Sequence, residues 1–282
     1  MGYIKMIRIT ALTILSSIFF AGAVMATPEE DRSAFSNFYT KRFSDTPVED
    51  FINGVYSIDA ASRDQWDQIE EFPPYEIDID EGEALYQTAF KNGKTYTSCF
   101  GDDLTVIRGK YPKWNAEKSM VVTLELDINN CRKANNEKAL KYKKGKMAQI
   151  SAYLAMQGRG NPIDVIIPTN SPEAMAAYEN GKEFFYSKRG QLNFSCADCH
   201  MANSGNYVRA DRLSPALGHT SHFPVYRSKW GGLGTLHRRF GGCNKNVRAK
   251  PFPAQSASYR NLEYYLSYMN NGLELNGPGA RK

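Results

Sequence analysis

Five consecutive residues, Cys196-Ala197-Asp198-Cys199-His200, constrain this 282-residue chain more than any other stretch. C-x-x-C-H is the attachment site of a c-type haem. Each cysteine sulfur adds to one porphyrin vinyl group, the two intervening residues match the separation of the vinyls, and the histidine falls beneath the iron as its proximal ligand. Two other uses of C-x-x-C fit less well. A redox dithiol needs no histidine and opens a helix in a βαβ fold, of which this chain shows no sign. A zinc site needs a second ligand pair at matching spacing, and none is present. The expectation is one covalent haem c on Cys196 and Cys199, with His200 on the iron.

The first 26 residues agree with that chemistry. Lys5 and Arg8 precede an apolar run over 9–25, and Val24-Met25-Ala26 supplies small residues at −3 and −1 of a cleavage site. This is the pattern of a secretory signal peptide. The competing reading is a retained anchor, but the run is short for a bilayer span. Cleavage near Ala26 and a periplasmic location follow, as c-type haems are attached after export. Outside the cytoplasm spare thiols tend to be oxidised. The chain has five cysteines, Cys99, Cys131, Cys196, Cys199 and Cys243, an odd number that leaves at least one unpaired within the chain.

A weak internal repeat suggests two related units. At an offset of 112, Ile150, Tyr153, Leu154 and Gly160 fall on Leu262, Tyr265, Leu266 and Gly272, and Cys131 falls on Cys243. Apolar residues at i, i+3 and i+4 before a glycine predict amphipathic helices with a C-terminal stop. Upstream, 82–99 resembles 181–196, each with a glycine opening an aromatic helical segment and a cysteine after a polar turn. The order helix, cysteine, long loop, cysteine, helix thus occurs twice. Each unit has the layout of a small cytochrome c domain, and only the second keeps a haem motif. The fold expected is mainly α, with two cytochrome c-like domains in tandem and long irregular loops. The boundaries are 1–26 for the signal, 27–80 for an acidic extension, 81–160 for a haem-less domain and 161–282 for the haem domain. The Gly- and Pro-containing stretch 158–172 reads as the linker. In the first unit "CFGDD" stands where C-x-x-C-H would be, so Cys99 and Cys131 are expected to form a disulfide.

That pairing leaves Cys243 alone in an unusual setting. Between Asp211 and Glu263 lie 51 residues without an acid, nine Lys or Arg, and three of the four histidines. Such a field lowers a thiol pKa and attracts a small anion or an acidic partner. A solvated basic face partly neutralised by haem propionates accounts for the charge equally well. In "HRRFGGCNKN" the glycines Gly241 and Gly242 let the backbone approach something large and flat. The candidates for the second axial ligand are Cys243, His219, His222, His237 and a methionine. Met201 sits beside His200 and Met269 lies in the last helix, so neither loops easily around a ring, which weakens a simple electron-carrier reading.

The run "SCADCH" (195–200), "RRFGGCNKNVRAKPF" (238–252) and "YRNLEYYLSYMNNGLELNGPGARK" (259–282), with the earlier "TSCFGDD" and "INNCRKAN", resembles the SoxA family. These are the cytochrome subunits of the SoxAX complexes of bacterial sulfur oxidation. Without a haem motif in the first unit, the chain is similar to the mono-haem type. The resemblance implies an L-cysteine S-thiosulfotransferase that joins thiosulfate oxidatively to a carrier cysteine of SoxYZ. Two electrons would pass through haem to a cytochrome c acceptor, and SoxX would be the permanent partner. It also implies that Cys243 is the distal iron ligand and carries an extra sulfur as a persulfide in some states. Thiosulfate is a dianion, and guanidinium offers it forked donors. Arg239, four residues before Cys243, matches the family's active-site arginine, and Arg248, five after, is the second choice for thiosulfate or a haem propionate.

Residues 45–83 carry the opposite charge, 13 acids against Arg63 alone. The stretch reads as an extended arm around Pro73-Pro74. A solvated acidic linker is the simpler view of it, and wrapping over the basic domain or contact with SoxX is the alternative. Nothing in the chain suggests nucleic-acid binding. A periplasmic electron carrier and a haem-based sensing subunit remain the competing function classes; methionine or bis-histidine rather than thiolate ligation would mark the carrier, and the absence of both catalysis and a stable partner cytochrome would mark the sensor.

Overall fold

Helices carry this fold, and two pairs of them meet at glycines. A computed structural model describes residues 26–281. The predicted export signal lies outside these residues apart from Ala26, and among the described residues no helix is long and apolar enough to cross a membrane. The helices are α1 (Pro28–Arg42), α2 (Ala60–Glu70), α3 (Glu76–Gln87), the single turn α4 (Thr97–Phe100), α5 (Leu124–Ala134), α6 (Lys146–Gln157), α7 (Pro172–Tyr186), α8 (Leu236–Asn246) and α9 (Ala257–Met269). Strands are short. β1 (Lys113–Asn115) and β2 (Met120–Val122) form one hairpin, and β3 (Tyr207–Val208) and β4 (Asp211–Arg212) another. β5 (Val225–Arg227) lies between antiparallel β6 (Gly232–Gly234) and parallel β7 (Gly279–Ala280).

α3 packs along α6, and α7 along α9. A Cβ on Gly82 of α3 would stand 2.2 Å from the Gln149 carbonyl oxygen, and one on Gly181 of α7 would stand 2.0 Å from that of Asn261. Only glycine permits such backbone-to-backbone contact. Tyr153 and Tyr265 flank the two crossings, and each partner on the second helix is offset by the same 112 residues. The two glycines sit inside their helices rather than opening them, as the sequence had suggested. The cysteine-bearing segments are helical too. Cys131 on α5 and Cys243 on α8 occupy the same position in 11-residue helices that follow Thr123 and Thr235. Cys99 is bonded to Cys131, within a core that includes Tyr86, Tyr96, Leu124, Ile128 and Leu154. Closing a loop of this length stabilises the folded state by about 3–4 kcal/mol on the chain-entropy model. A Cys99→Ser/Cys131→Ser variant is expected to lose about that much in denaturant unfolding while its haem content stays the same. A loss under about 1 kcal/mol would count against this account.

The second core is built partly by the acidic extension, which corrects the reading of a solvated linker. Helix α1 begins at a capping box in which Thr27 and Glu30 satisfy each other's backbone N–H, with Pro28 in the first turn. Its Phe35 and Tyr39, and Phe51 after it, are buried with Tyr178, Phe185 and Tyr265 of α7 and α9. Most of the acids are exposed, while Asp31, Asp59 and Glu70 turn inward to partners on other elements and the aromatic residues between them pay for ordering by leaving water. Stretch 158–172 is likewise more than a connector. Ile163, Val165 and Ile167 are buried in the same core, the Gly160 and Ile163 amides donate to the Leu275 and Leu273 carbonyls of the segment that follows α9, and the Leu275 amide donates back to the Asn161 carbonyl.

Candidate active site

The C-x-x-C-H turn is fixed by its own x residues. Ser195 precedes it, and its backbone N–H and hydroxyl both donate to the Asp198 carboxylate, at 2.8 and 2.9 Å. The Asp198 N–H donates back to the Ser195 hydroxyl at 2.9 Å. This is the S-x-x-D form of a capping box, and it leads into a π-helical turn over Asp198–Ala202. The hydrogen bonds hold the Asp198 carboxyl below its usual range. Sequence reading passed over Ser195 and Asp198 because the cysteines drew all the attention, yet the [ST]-x-x-[DE] signal was there to be found.

His200 is held from behind. Its Nδ1 lies 2.9 Å from the Ser214 carbonyl oxygen, so that nitrogen carries the proton and Nε2 is left with a free lone pair. The His200 carbonyl accepts from the Tyr39 hydroxyl at 2.7 Å and the Ala216 amide at 3.1 Å. Thus α1 of the acidic extension buttresses the histidine that the motif supplies.

Of the residues weighed as a second ligand, Cys243 is the one brought face to face with His200. His200, Arg239 and Arg227 all act electrostatically on the Cys243 thiol. Burial raises the Cys243 pKa, but Arg239, the His200 contact and Arg227 outweigh it and bring the thiol down to about 7. Cys243 lies in the last turn of α8, where the helix dipole disfavours an anion, so these cations also overcome that opposition. Cys196 is pushed up to about 12, chiefly by burial and then by Cys243, and Cys199 is raised by the same two causes. All three thiols are free.

The other histidines are engaged elsewhere. His237 accepts from the Gln255 amide on Nδ1 at 3.0 Å and faces the Glu263 carboxylate of α9 through Nε2 at 3.1 Å, with both side chains buried. His219 stands edge-on to the His200 ring at 4.5 Å between centroids, and its Nε2 meets the Ser214 hydroxyl at 2.8 Å. His222 directs Nδ1 at the Ile52 carbonyl at 3.2 Å. Burial foremost, then neighbouring cations, holds His219 and His222 well below the normal imidazole pKa, so both are neutral. Met201 contacts Tyr186, and Met269 is buried in α9.

Arg239 lies on α8 one turn before Cys243. Arg248 does not join it; it is exposed beyond the end of α8, in a left-handed backbone conformation. The second guanidinium acting on Cys243 belongs to Arg227 of β5, distant in sequence and invisible to spacing arguments. Helix α8 is anchored at its start by Thr235, whose hydroxyl donates to the Tyr142 carbonyl at 2.9 Å. Near its end Asn244 donates to the Tyr259 hydroxyl at 2.6 Å.

This set of groups fits a c-type haem. Two free thiols sit next to an imidazole whose Nε2 is unoccupied, and a third thiol faces that imidazole. Gly241 and Gly242 are not demanded by protein packing, for a Cβ at the first would make only ordinary contact with Pro251 and at the second would meet nothing within 4 Å. Buried guanidinium nitrogens of Arg227 and Arg281 have no hydrogen-bond partner among the described residues, as expected where the anionic edge of a cofactor is to be received.

The comparisons with known proteins follow the same direction. The family model described as SoxA/TsdA, cytochrome c domain, matches residues 81–163. The chain is 53% identical to the L-cysteine S-thiosulfotransferase subunit SoxA of Allochromatium vinosum over 276 residues, covering 95% of this chain and 98% of that protein. It is 52% identical over 257 residues to the protein of the same description from Chlorobaculum thiosulfatiphilum, covering 91% and 89%. Among solved structures, SoxXA from P. pantotrophus superposes with a TM-score of 0.70 at 29% identity, covering 78% of this chain and 84% of that one.

Proposed function

The chain belongs to the SoxA family, and from that premise we propose how its residues carry out the reaction. It is an L-cysteine S-thiosulfotransferase subunit, a c-type cytochrome of thiosulfate oxidation. In the reaction a carrier thiol and thiosulfate form a new S–S bond. The thiol loses its proton, and two electrons leave. A haem bound here supplies the exit for those electrons.

The observation that carries the reading is the Cys243 thiol facing His200 with Arg239 and Arg227 beside it. Cys196 and Cys199 would hold one haem c through thioethers, and His200 Nε2 and Cys243 Sγ would be the ligands offered to its iron. Cys243 would be the sulfur relay as well as a ligand. Its thiolate joins thiosulfate in an S–S bond as two electrons leave, and the carrier thiolate then takes the thiosulfate group and frees the Cys243 thiolate. Hydrolytic loss of sulfate from the same adduct would leave a persulfide. Positive charge keeps its sulfur anionic, which makes it nucleophilic. Arg239 binds the sulfonate end of thiosulfate; Arg248, exposed, is assigned no part in holding it. The expected partners are SoxX as the permanent subunit, the SoxYZ carrier and a cytochrome c acceptor. The location is the periplasm, reached through the signal at 1–26.

The match of residues 81–163 to a cytochrome c domain model supports the division into two tandem halves. So do the paired glycine crossings. In the first half the Cys99–Cys131 bond stands where the second half keeps Cys196 and Cys243 apart for the cofactor.

Arg239 gives a graded test. A charge-assisted hydrogen bond is worth about 1.5–3 kcal/mol, so Arg239→Ala is expected to reduce kcat/KM for thiosulfate about 10- to 100-fold. Arg239→Lys should restore only part of that, because a point charge lacks the fork. Steady-state conjugation assays on the complex with the partner cytochrome measure it. An unchanged kcat/KM in Arg239→Ala would move the sulfonate site elsewhere.

A further inference from the structure

Among the arginines with buried, unpartnered guanidinium nitrogens, Arg227 and Arg281 are brought together next to the candidate site, the first of them already acting on Cys243. Arg227 ends β5 and Arg281 follows β7, and the parallel register of these strands pairs Val225 with Gly279 and Tyr226 with Ala280. The next step sets Arg227 alongside Arg281, whose amide donates to the Tyr226 carbonyl at 2.8 Å. Each guanidinium rests its face near aromatic rings, Arg281 at 5.2 Å from Tyr56 and 5.3 Å from Trp66, Arg227 at 5.4 Å from Trp230. A stacked face leaves the edge donors to be satisfied elsewhere. Protein satisfies only part of them, Nη1 of Arg281 donating to the Ala280 carbonyl at 2.7 Å. Nε of Arg227, and Nε and Nη2 of Arg281, are sealed from solvent without a hydrogen-bond partner among the described residues.

The acids within range do not resolve this. Glu70 attracts Arg281, but its Oε1 already accepts from Trp66 Nε1 at 2.9 Å and the Ala280 amide at 2.7 Å, and its Oε2 from the Tyr75 hydroxyl. Asp211 acts on Arg227 only at longer range, and neither arginine forms an ion pair among the described residues. Leaving a buried charge unpaired is strongly unfavourable, so an oxyanion belongs at this edge.

Two oxyanions are available at this site, thiosulfate and the carboxylates of a haem. The positions favour the carboxylate. Arg239 is the strongest cationic influence on Cys243. The segment that leads into Arg281 packs at Gly277 against the His222 backbone, His222 neighbours His219, and His219 is the ring that abuts His200. Arg281 therefore lies on the imidazole side of the centre, and Arg227, which also acts on Cys243, reaches from that side towards the sulfur. We propose that Arg227 and Arg281, side by side on the parallel β5–β7 pair, are positioning residues that receive a haem propionate. This rests on the haem assignment above, which a pyridine haemochrome spectrum of the wild-type protein tests by itself.

The test is the midpoint potential of this haem in the purified complex, together with its propionate bending bands in resonance Raman spectra. The proteins are wild type, Arg281→Ala, and Arg281→Met, which keeps an unbranched stem over Tyr56 and Trp66. Removing a cation beside the haem favours the ferric state, so both variants should show a lower potential and shifted propionate bands. KM for thiosulfate should stay within about twofold, and Arg281→Lys should recover part of the potential. If Arg281→Ala does not mature, Arg281→Met and Arg281→Lys decide alone. Unmoved potential and bands would overturn the assignment. So would a tenfold rise in KM for thiosulfate at unchanged potential, which would make substrate the occupant.

Discussion

Cys243→Ser is expected to abolish thiosulfate conjugation, with a loss on the order of 10³-fold or more, as when other catalytic nucleophiles are removed. The haem should stay attached, because the residues proposed to bond it covalently are Cys196 and Cys199. The capping box of Ser195 and Asp198 that shapes their turn does not involve α8. The His200 orientation should also persist, since Ser214, Tyr39 and Ala216 set it from the other side. What changes is the sulfur. Serine is isosteric but has no accessible anion near neutral pH, whereas the environment brings the Cys243 thiol down to about 7. The spectrum should lose its thiolate signature in electron paramagnetic resonance, and intact mass should show no added sulfur. Cys243→Ala should behave the same way, which separates loss of sulfur chemistry from an effect of the serine hydroxyl. Turnover near the wild-type level in either variant would remove Cys243 from the mechanism and return the chain to the class of plain electron carriers.

How much of this site can be read from sequence depends on how local its geometry is. The C-x-x-C-H motif is a single turn, so its chemistry is written in five adjacent residues. Cys243 was legible because the acid-free stretch and the two glycines set it apart. The helical register of α8 then places Arg239 one turn before it. Arg248 looked equivalent by spacing, but α8 ends at Asn246, and Arg248 lies beyond it, exposed and in a left-handed backbone conformation. Arg227 and Arg281 come to the site through strand pairing between segments more than 50 residues apart, and a three-stranded sheet of such short strands leaves almost no period-two pattern to detect. The acidic extension misled for a related reason. Its charge dominates any average over composition, while the buried residues Phe35, Tyr39, Phe51 and Tyr56 are few and widely spaced. Their burial is decided by α7 and α9, far along the chain.

The largest stability effect is expected at the glycine crossings, and it also separates the two halves. A methyl group at position 181 would stand 2.0 Å from the Asn261 carbonyl oxygen, 2.6 Å from its carbon and 2.9 Å from Tyr265 Cβ. None of these is the end of a flexible side chain, so relief requires α7 and α9 to move apart by more than 1 Å, roughly the gap to ordinary contact. That would loosen the packing of Tyr178, Phe185, Leu262 and Tyr265. Overpacking of a rigid core costs about 1–3 kcal/mol and more where backbone must shift. Alanine's helix propensity returns only about 1 kcal/mol. The clash therefore wins, and Gly181→Ala should be less stable by about 3 kcal/mol, a fall in Tm of roughly 6–12 °C for a protein of this size. Gly82→Ala meets the Gln149 carbonyl oxygen at 2.2 Å and should lose a similar amount. The two should differ in cofactor content. Gly181→Ala strains the helix that leads into Cys196–His200, so haem incorporation should fall with stability. Gly82→Ala strains the half closed by Cys99–Cys131 and should mature with its haem. Calorimetry alongside a haem-to-protein ratio measures both. An unchanged Tm in Gly181→Ala would mean that the crossing does not limit stability. Equal haem loss in both variants would mean that the halves fold as one unit rather than as two related ones.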